Sequence, residues 1–338
     1  ADELRQTFRY DDLYQLVEAS GSYKTSPGKT DRYYLGMSYD SIGNILAKQQ
    51  DHDIVQPSGS IVEQRKTTYD WAYAYAGPGP HAATRVGDRA FTYDANGNQL
   101  GWTHDLNGTR RAIAWDEENR IQSITDNGQE MAYKYDASGQ RVIKRGPQGE
   151  TVYANQYFTE REGEIGTKHV FAGATRLVSK LVKPNSREKD QYYFHADHLG
   201  GSNYTTDANG QVYEHLEYFP FGETWVEEAS NTQRTPYLYT GKELDEETGL
   251  YYFGARYFDP RSSLWQSTDP AIERYLAGPS SGDVYIPANL SLYAYVHQNP
   301  LKYIDPDGRR IKVVGFVFWF RVLRARWYMR KTPFRALW

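Results

Sequence analysis

The sequence predicts a mainly β fold, a curved antiparallel sheet of repeated hairpins, from three observations. A Tyr-Asp pair recurs at starts about 20 to 30 residues apart, which is typical of repeat architectures. The residues before each pair alternate in polarity, as in a half-buried strand. The 30 Tyr, 13 Phe and 8 Trp place much of the apolar surface in rings that favour strands. The pairs are Tyr10-Asp11, Tyr39-Asp40, Tyr69-Asp70, Tyr93-Asp94 and Tyr135-Asp136, with Trp115-Asp116 as a near copy.

Each repeat supplies the residues of its own turn. Three pairs continue with two spacers and then Gly-Asn or Gly-Gln, in the ranges 39–44, 93–98 and 135–140. The Asp side chain can cap a turn, and Gly adopts the left-handed conformation that a tight turn requires. Such a segment between alternating stretches indicates strand, turn, strand. We therefore expect one hairpin per unit, with the aromatic residues packed across neighbouring strands.

Composition excludes several classes of protein. The chain has no cysteine, so disulfides, thiolate metal sites and thiol nucleophiles are ruled out. It begins at Ala1 without the charged and apolar regions of a signal peptide, which suggests a fragment of a longer chain. The longest apolar run, from Val313 to Phe320, is far shorter than the roughly 20 residues that span a bilayer. We expect a soluble segment without a membrane span.

Charge divides the chain at Gly308. Nine of the 39 Lys and Arg residues follow it and no acid does, which leaves 30 basic against 43 acidic residues, a net charge of −13, before Arg309. The last 30 residues are too few to fold alone without a staple. Arginines among aromatic residues in this tail are also typical of membrane or nucleic-acid contacts. We favour a short variable tip that binds neither nucleic acid nor membrane and lies against an acidic inner wall.

Residues 192–308 contain a second kind of sequence, a series of short motifs rich in Gly, Pro, Asp and aromatic residues. In chain order they include His195-Ala196-Asp197-His198-Leu199-Gly200, Tyr218-Phe219-Pro220-Phe221-Gly222, Thr240-Gly241-Lys242-Glu243-Leu244-Asp245, Gly254-Ala255-Arg256-Tyr257-Phe258-Asp259-Pro260, Thr268-Asp269-Pro270 and Asp305-Pro306-Asp307-Gly308. This series resembles the RHS-repeat-associated core of the Rhs/YD-repeat proteins, which include toxin-complex C subunits and teneurins. With the Tyr-Asp units, the resemblance covers nearly all of residues 8–308.

The resemblance implies a division of the chain. In that family, YD repeats wind into a hollow β-sheet shell, and the core closes one end as an irregular plug. We accordingly expect YD/RHS repeats over residues 1–155, further shell strands over 156–191, the RHS core over 192–308 and a variable basic tip over 309–338. Because 338 residues provide too few strands to close a shell, the rest of the wall must come from a longer chain or another shell component.

The resemblance also implies a site for self-cleavage. In several bacterial members, the core cuts the chain just after its last Asp-Pro-x-Gly, using an acid pair. The matching residues are Asp269 and Asp305 as the catalytic pair, with Arg256 beside them and the cut at Gly308 and Arg309. Two carboxyls sharing a proton can act as base and acid on a water. The first motif has Ile272 in place of its glycine, and Asp-Pro is also a common turn dipeptide, so a purely structural role stays open.

Other polar clusters favour structural roles. His195 and His198 are three residues apart, which on a strand directs them to opposite faces, and no third ligand stands nearby in the sequence. Glu160, Glu162 and Glu164 are consistent with a solvated surface segment. We therefore predict no metal and no cofactor. Any chemistry should be intramolecular, without activity on another molecule.

Two functions remain open at this stage. In the first, the chain encloses and presents its own C-terminal toxin, is secreted or delivered from a bacterial cell, and works with injection machinery and an immunity protein. In the second, it is a cell-surface or wall-associated structural or adhesion protein of the teneurin kind. The basic tip directly after Asp-Pro-Asp-Gly favours the first.

Overall fold

The computed structural model describes residues 3–25, 28–182, 190–229, 235–272, 276 and 287–314. Within these ranges, residues 3–229 form one antiparallel sheet of 21 strands, which we call the wall. The predicted mainly β fold is confirmed. Its first strands are β1 (Glu3–Tyr10), β2 (Leu16–Thr25), β3 (Lys29–Tyr39), β4 (Ile45–Val55), β5 (Ile61–Glu63), β6 (Tyr69–Ala74), β7 (Arg85–Val86), β8 (Arg89–Tyr93), β9 (Gln99–His104), β10 (Arg110–Trp115) and β11 (Ile121–Asp126).

The wall continues without a break in topology through the region that the sequence assigns to further shell strands. It also includes residues 191–229, where the first core motifs lie. These strands are β12 (Gln129–Tyr135), β13 (Arg141–Gly146), β14 (Gly149–Asn155), β15 (Phe158–Arg161), β16 (Ile165–Ala172), β17 (Thr175–Val182), β18 (Gln191–Ala196), β19 (Ser202–Thr206), β20 (Val212–Tyr218) and β21 (Thr224–Ala229).

Strand order in the wall follows chain order. Nearly every strand pairs antiparallel with the next one along the chain, as β2 does with β3 and β12 with β13. The exception is β4, which pairs with both β5 and β6: Ile54 lies opposite Val62, and Lys48 lies opposite Trp71. Because each strand needs only its sequence neighbour, a wall of this kind extends by one hairpin at a time.

The repeat motif forms the turn that its residues predict. Oδ1 of Asp40 accepts the backbone N–H groups of Ile42 and Asn44, each at 2.9 Å, and Gly43 has a φ of +86°. The same bonds form around Asp94, Asp116 and Asp136. In the Trp115 copy, Asn119 takes the left-handed position, which Asn tolerates better than most residues. The side-chain cap therefore accounts for the invariable Asp of the motif.

The aromatic residue of each repeat ties its turn to the preceding repeat. The Tyr39 hydroxyl donates to the Leu16 carbonyl at 2.6 Å, six residues after Tyr10. The same step recurs elsewhere in the wall. Tyr135 donates to Ile121 at 2.8 Å, Trp115 donates through Nε1 to Gln99 at 2.8 Å, Tyr75 donates to Ile45 at 3.0 Å, and Tyr218 donates to Ser202 at 2.7 Å.

One predicted repeat is wrong in detail. Tyr69-Asp70 does not open a turn, because both residues lie at the start of strand β6. The hydroxyl that links this repeat to the previous one belongs to Tyr75, which Ala76 follows instead of an acid. The Tyr-Asp dipeptide therefore predicted one turn too many in this stretch, because a Tyr followed by an Asp can also occur within a strand.

The described residues within 235–314 form an irregular cap that packs on one face of the wall. It contains a four-stranded sheet, β22 (Glu243–Asp245), β23 (Leu250–Tyr252), β24 (Tyr257–Asp259) and β25 (Leu264–Trp265), and a pair, β26 (Tyr303–Ile304) and β27 (Lys312–Val313). A short helix, Pro287–Leu290, and two 3₁₀ turns, Tyr239–Gly241 and Val296–Gln298, complete it. Aromatic rings fill its interior, with Trp265 packed against Phe253, Phe258 and Tyr295.

The wall is curved, so that its first strands face its last ones. Trp225 on β21 donates to the buried Asp31 of β3 at 2.7 Å and packs edge to face on Tyr33. Gly21 on β2 has no room for a side chain, because an added Cβ would lie 2.8 Å from the Trp225 ring. Strands this far apart in a flat sheet would not meet, so these contacts define the bend.

A buried ion cluster holds the cap on the wall. Arg141 of β13 lies 2.7 Å from Asp245 and 3.0 Å from Glu243, both on β22, and its side chain is 1% exposed. Lys144 adds a second cation, 3.2 Å from Asp245. Burial alone would raise the pKa of Asp245, but Arg141 and Lys144 overcome this effect and lower it. The charges are thus paired across the interface, where a single unpaired member would be costly.

We expect Tyr39→Phe to lower the free energy of unfolding by about 1 to 3 kcal/mol, because the Leu16 carbonyl loses its donor. Urea denaturation followed by tryptophan fluorescence measures the change. Tyr34→Phe on the same strand is the matched control, since Tyr34 is 39% exposed and its loss should cost less than about 0.5 kcal/mol. Equal effects of the two substitutions would contradict the role of the hydroxyl.

Candidate functional site

The candidate site is organised around Arg256, in the turn between β23 and β24. Gly254 in that turn has a φ of +103°, a conformation that glycine adopts without strain. The guanidinium lies 4.1 Å from the centroid of the Trp265 ring, and the side chain is 3% exposed. Stacking on an aromatic face fixes its plane, which leaves the N–H edges available for hydrogen bonds.

The structure brings the two predicted carboxylates to this arginine. Nη2 of Arg256 lies 3.3 Å from Oδ2 of Asp269 and 3.3 Å from Oδ2 of Asp305. Asp269 reaches it from the turn after β25, where its Oδ1 accepts the N–H of Ala271 at 2.8 Å. Asp269 and Asp305, 36 positions apart in the sequence, thus share the Arg256 guanidinium. The turn at Asp269 forms even though Ile272 stands in place of the expected glycine.

Asp305 is the buried member of the pair, at 1% exposure. Its Oδ1 accepts the backbone N–H groups of Asp307, Gly308, Arg309 and Arg310 at 3.2, 2.9, 3.1 and 3.2 Å. Burial raises the pKa of Asp305, and the Arg256 charge and these N–H groups only partly offset that increase. The carboxyl therefore caps the Asp-Pro-Asp-Gly turn, and its environment favours the protonated form more than water does.

The Gly308–Arg309 peptide bond lies between these groups. Nε of Arg256 donates to the Gly308 carbonyl oxygen at 2.7 Å, while the Arg309 nitrogen is 3.1 Å from Oδ1 of Asp305. Gly308 has a φ of +76°, and an added Cβ would lie 2.9 Å from the backbone nitrogen of Arg256. The predicted cleavage region therefore contacts a guanidinium through its carbonyl oxygen and a carboxyl through its amide nitrogen.

Two groups near the turn had no predicted role. Nζ of Lys242 donates to the Pro306 carbonyl, and burial lowers the pKa of this lysine. The Leu292 carbonyl accepts from Nη1 of Arg256 at 3.3 Å. Lys242 belongs to one of the motifs identified in the sequence. Because it lies more than sixty positions before Asp305, the sequence did not predict its contact with the Pro306 carbonyl.

A cleft lies beside Arg256 and Arg309. Turns of the wall form one side of it, and the cap forms the other. Its lining residues are Asn98, Glu118, Asn119, Arg120, Ala137, Ser138, Gly139, Gly254, Ala255, Arg256, Ser267, Thr268, Pro270 and Arg309.

The remaining polar clusters lie elsewhere. His195 contacts the Thr206 hydroxyl of the neighbouring strand at 3.0 Å, whereas His198 contacts the carbonyl of the distant Leu301 at 3.3 Å. Among the described residues, no group of three or more His, Asp or Glu side chains is arranged to hold a metal ion. Asp259 caps its own turn by accepting the N–H of Arg261 at 2.9 Å. The Gly278–Gly282 loop and the tail after Val314 lie outside the described residues.

The sheet of hairpins, the cap and the Asp-Pro-x-Gly turn define a YD-shell protein. A model of the Teneurin YD-shell family matches residues 1–160 and 179–301. The chain belongs to this family, and the resemblance to Rhs/YD-repeat proteins is confirmed. Within the described part of the chain, no helix combines the length and apolar character needed to cross a membrane.

Three relatives show how widely this segment occurs. The chain is 29% identical over 242 residues to the tRNA3(Ser)-specific nuclease WapA of Bacillus spizizenii, covering 68% of this chain and 10% of WapA. It is 28% identical over 354 residues to the toxin subunit YenC1 of Yersinia entomophaga, covering 89% of this chain and 33% of YenC1. It is 25% identical over 244 residues to Salivary gland surface protein 1 of Aedes aegypti, covering 67% and 7%. The chain spans a third or less of these proteins.

Solved structures share the fold. The chain matches a crystal structure of TcdB2-TccC3-Cdc42 with a TM-score of 0.68 at 24% identity, over 90% of this chain and 15% of that one. A crystal structure of TcdB2-TccC3 gives a TM-score of 0.67 at 23% identity, over 90% and 16%. The wall and cap are therefore a recurring arrangement.

Gly308→Ala should destabilise the site turn more than the same change elsewhere in the chain. A Cβ at this position meets the Arg256 backbone, so we expect a loss of about 2 kcal/mol or more in the free energy of unfolding. Gly210→Ala is the matched control, because Gly210 has the same φ of +76° and nothing within 4 Å, so it should cost only about 1 kcal/mol. Thermal unfolding of both variants checks the difference, and a larger loss at Gly210 would contradict the close packing.

Proposed function

We propose that this chain is the closing segment of a shell that encloses a C-terminal effector and releases it by cutting the Gly308–Arg309 bond. The observation that carries the proposal is that Arg256 and Asp305 both contact that bond, while Asp269 shares the Arg256 guanidinium with Asp305. A turn needs only its own capping carboxylate. A second carboxyl and a buried guanidinium on the carbonyl oxygen are what an acid-base hydrolysis requires.

In this proposal each of the three groups has a role. Asp269, the more exposed of the two acids, takes a proton from a water that attacks the Gly308 carbonyl carbon. Arg256, 2.7 Å from the carbonyl oxygen, stabilises the negative charge that develops there. In the intact chain the Arg309 N–H donates to Oδ1 of Asp305 at 3.1 Å. Once water has added to the Gly308 carbonyl carbon, the Arg309 nitrogen becomes pyramidal, and its lone pair takes the proton of Asp305 as the C–N bond breaks. The water's hydroxyl stays on Gly308, its proton ends on Asp269, and Arg309 becomes a new amino terminus.

The wall supports an enclosing role but needs more chain. Strand β1 pairs only with β2, so its other edge is open among the described residues, and Leu4 and Phe8 are 45% and 37% exposed. Such an edge accepts another strand. The missing part of the shell would come from a longer chain or another shell component, since the toxin-related proteins that it matches are several times longer. Release from a bacterial cell, injection machinery and an immunity protein belong to this proposal.

A second candidate function is a cell-surface YD-shell protein without toxin delivery. The similarity to a salivary gland surface protein and the match to the Teneurin YD-shell model favour it. In that case, Asp269, Asp305 and Arg256 would only fix the final turn of the cap. Cleavage of the chain separates the two functions.

The first test is cleavage of the complete chain carrying a folded passenger after Trp338. We expect a fragment that ends at Gly308 by intact-mass measurement, and Asp269→Asn or Asp305→Asn should slow its formation by at least about a hundredfold. Asp207→Asn is the control, because Asp207 caps a turn of the wall in the same way, accepting the N–H groups of Asn209 and Gln211. Wild-type protein that stays intact would contradict the proposal.

The second test is the pH dependence of the cut. Asp305 must carry a proton to protonate the leaving nitrogen, and burial raises its pKa, so the protonated form persists to higher pH than in water. We expect the rate to fall as the pH rises through that raised pKa. Refolding the chain from denaturant at several values between about pH 4 and pH 8 and following the fragment on gels measures the profile. A rate that increases across this range would assign the proton donor elsewhere.

A further inference from the structure

A second cleft lies on the face of the wall that the cap covers, away from the cleavage region. It has a volume of about 610 Å³. Strands β6 to β11 form its floor, and the Glu246–Gly249 and Asp259–Arg261 segments of the cap overhang it. Its lining includes two tryptophans, Trp71 and Trp102, and three arginines. Nothing in the proposed cleavage uses these residues.

Aromatic rings and guanidinium groups alternate along this floor. The Arg89 guanidinium lies 4.3 Å from the centroid of the Trp102 ring and 5.5 Å from that of Trp71. Beyond Trp102, Arg111 lies 5.6 Å from the same ring. Beyond Trp71, Arg261 of the cap lies 5.2 Å from the ring. Arg89 on β8 therefore contacts two indole rings, one on the adjacent β9 and one on β6.

The outer two arginines have acceptors for their N–H groups. Arg111 donates from Nε to Asp126 at 3.0 Å and also to the Thr248 carbonyl. Arg261 donates to the Lys66 carbonyl at 3.1 Å and lies 3.4 Å from a Glu223 oxygen. Each is therefore paired where it lies.

Arg89 differs from both of them. Its guanidinium makes only the two ring contacts among the described residues. Five acids line the cleft. Three of them are engaged, Asp126 by Arg111, Asp259 by the N–H of Arg261 and Glu247 by Lys144 at 3.6 Å, and the other two, Asp88 and Glu246, are exposed. Burial lowers the pKa of Arg89, the charges of Asp259 and Asp126 oppose this effect, and those of Arg261 and Arg111 add to it. No carboxylate of the described residues occupies the N–H edge of Arg89.

We propose that this cleft binds an oxyanion, a carboxylate or phosphate group, through the free N–H edge of Arg89. A guanidinium presents parallel donors that match two oxygens of such a group. The flanking indole rings hold the fork in place, so little side-chain entropy is lost on binding. The site is independent of the cleavage proposal. Its oxyanion could be free in solution or belong to an acidic side chain of a polypeptide on this face of the wall.

The test is a titration of the complete chain, followed by tryptophan fluorescence at constant ionic strength. One arm uses inorganic phosphate, and the other uses a short acetylated peptide with two adjacent aspartates. A saturable change in either arm is expected, and the arm that binds more tightly identifies the source of the oxyanion. Arg89→Met should weaken binding by at least about tenfold, because the charge-assisted hydrogen bonds are lost.

Two further variants keep the test decisive. Arg85→Gln is the matched control, since Arg85 lies on β7 beside the cleft and pairs with Asp105 outside it. This variant should bind each ligand with the affinity of the wild type. Arg89→Lys retains the charge but not the fork and should bind more weakly, which gives a readout even where Arg89→Met does not fold. The absence of saturable binding in both arms would overturn the proposal, as would unchanged affinity in the Arg89 variants.

Discussion

The hydrogen bond from the aromatic side chain of one repeat to a backbone carbonyl of the preceding repeat is the interaction on which the wall depends. Strand pairing joins neighbouring strands, but it does not by itself fix one turn relative to the next. The Tyr39 to Leu16 bond does so, and the same step recurs between Tyr135 and Ile121. Trp115 can replace tyrosine because its indole N–H also donates, here to Gln99. The repeat therefore requires a ring with a donor at its tip.

Buried polar groups also need hydrogen-bond partners where the cap contacts the wall. A chain rich in Tyr, Arg and Asp buries polar groups along with its rings, and each needs a partner. Arg141 and Arg256 meet that need in similar ways, each lying against an aromatic ring and each bound to two carboxylates. Arg141 joins the wall to β22, whereas Arg256 joins three separate turns of the cap. Arg89 lies against two aromatic rings but is not bound to a carboxylate, which is why we propose that it binds an oxyanion.

Much of this could be predicted because the signals are local. The Asp cap and the left-handed glycine lie within five residues, so the sequence shows the turn directly. The Tyr69-Asp70 pair shows the limit of this reasoning, since the letters recur in a strand without the turn. Asp269, Asp305 and Arg256 could be named only through resemblance to a family. Lys242 and the Arg89 cleft could not be named at all, because their contacts join distant segments.

By itself, the sequence determined the mainly β fold and the turn chemistry of the repeats, because period, turn residues and short motifs are properties of neighbouring positions. Only the tertiary structure decided that β18 to β21 continue the wall and that Trp225 meets Asp31 across its bend. It also decided that two aspartates 36 positions apart share Arg256. Burial and the partner of a charge depend on which distant segments fold together, and no local pattern specifies them.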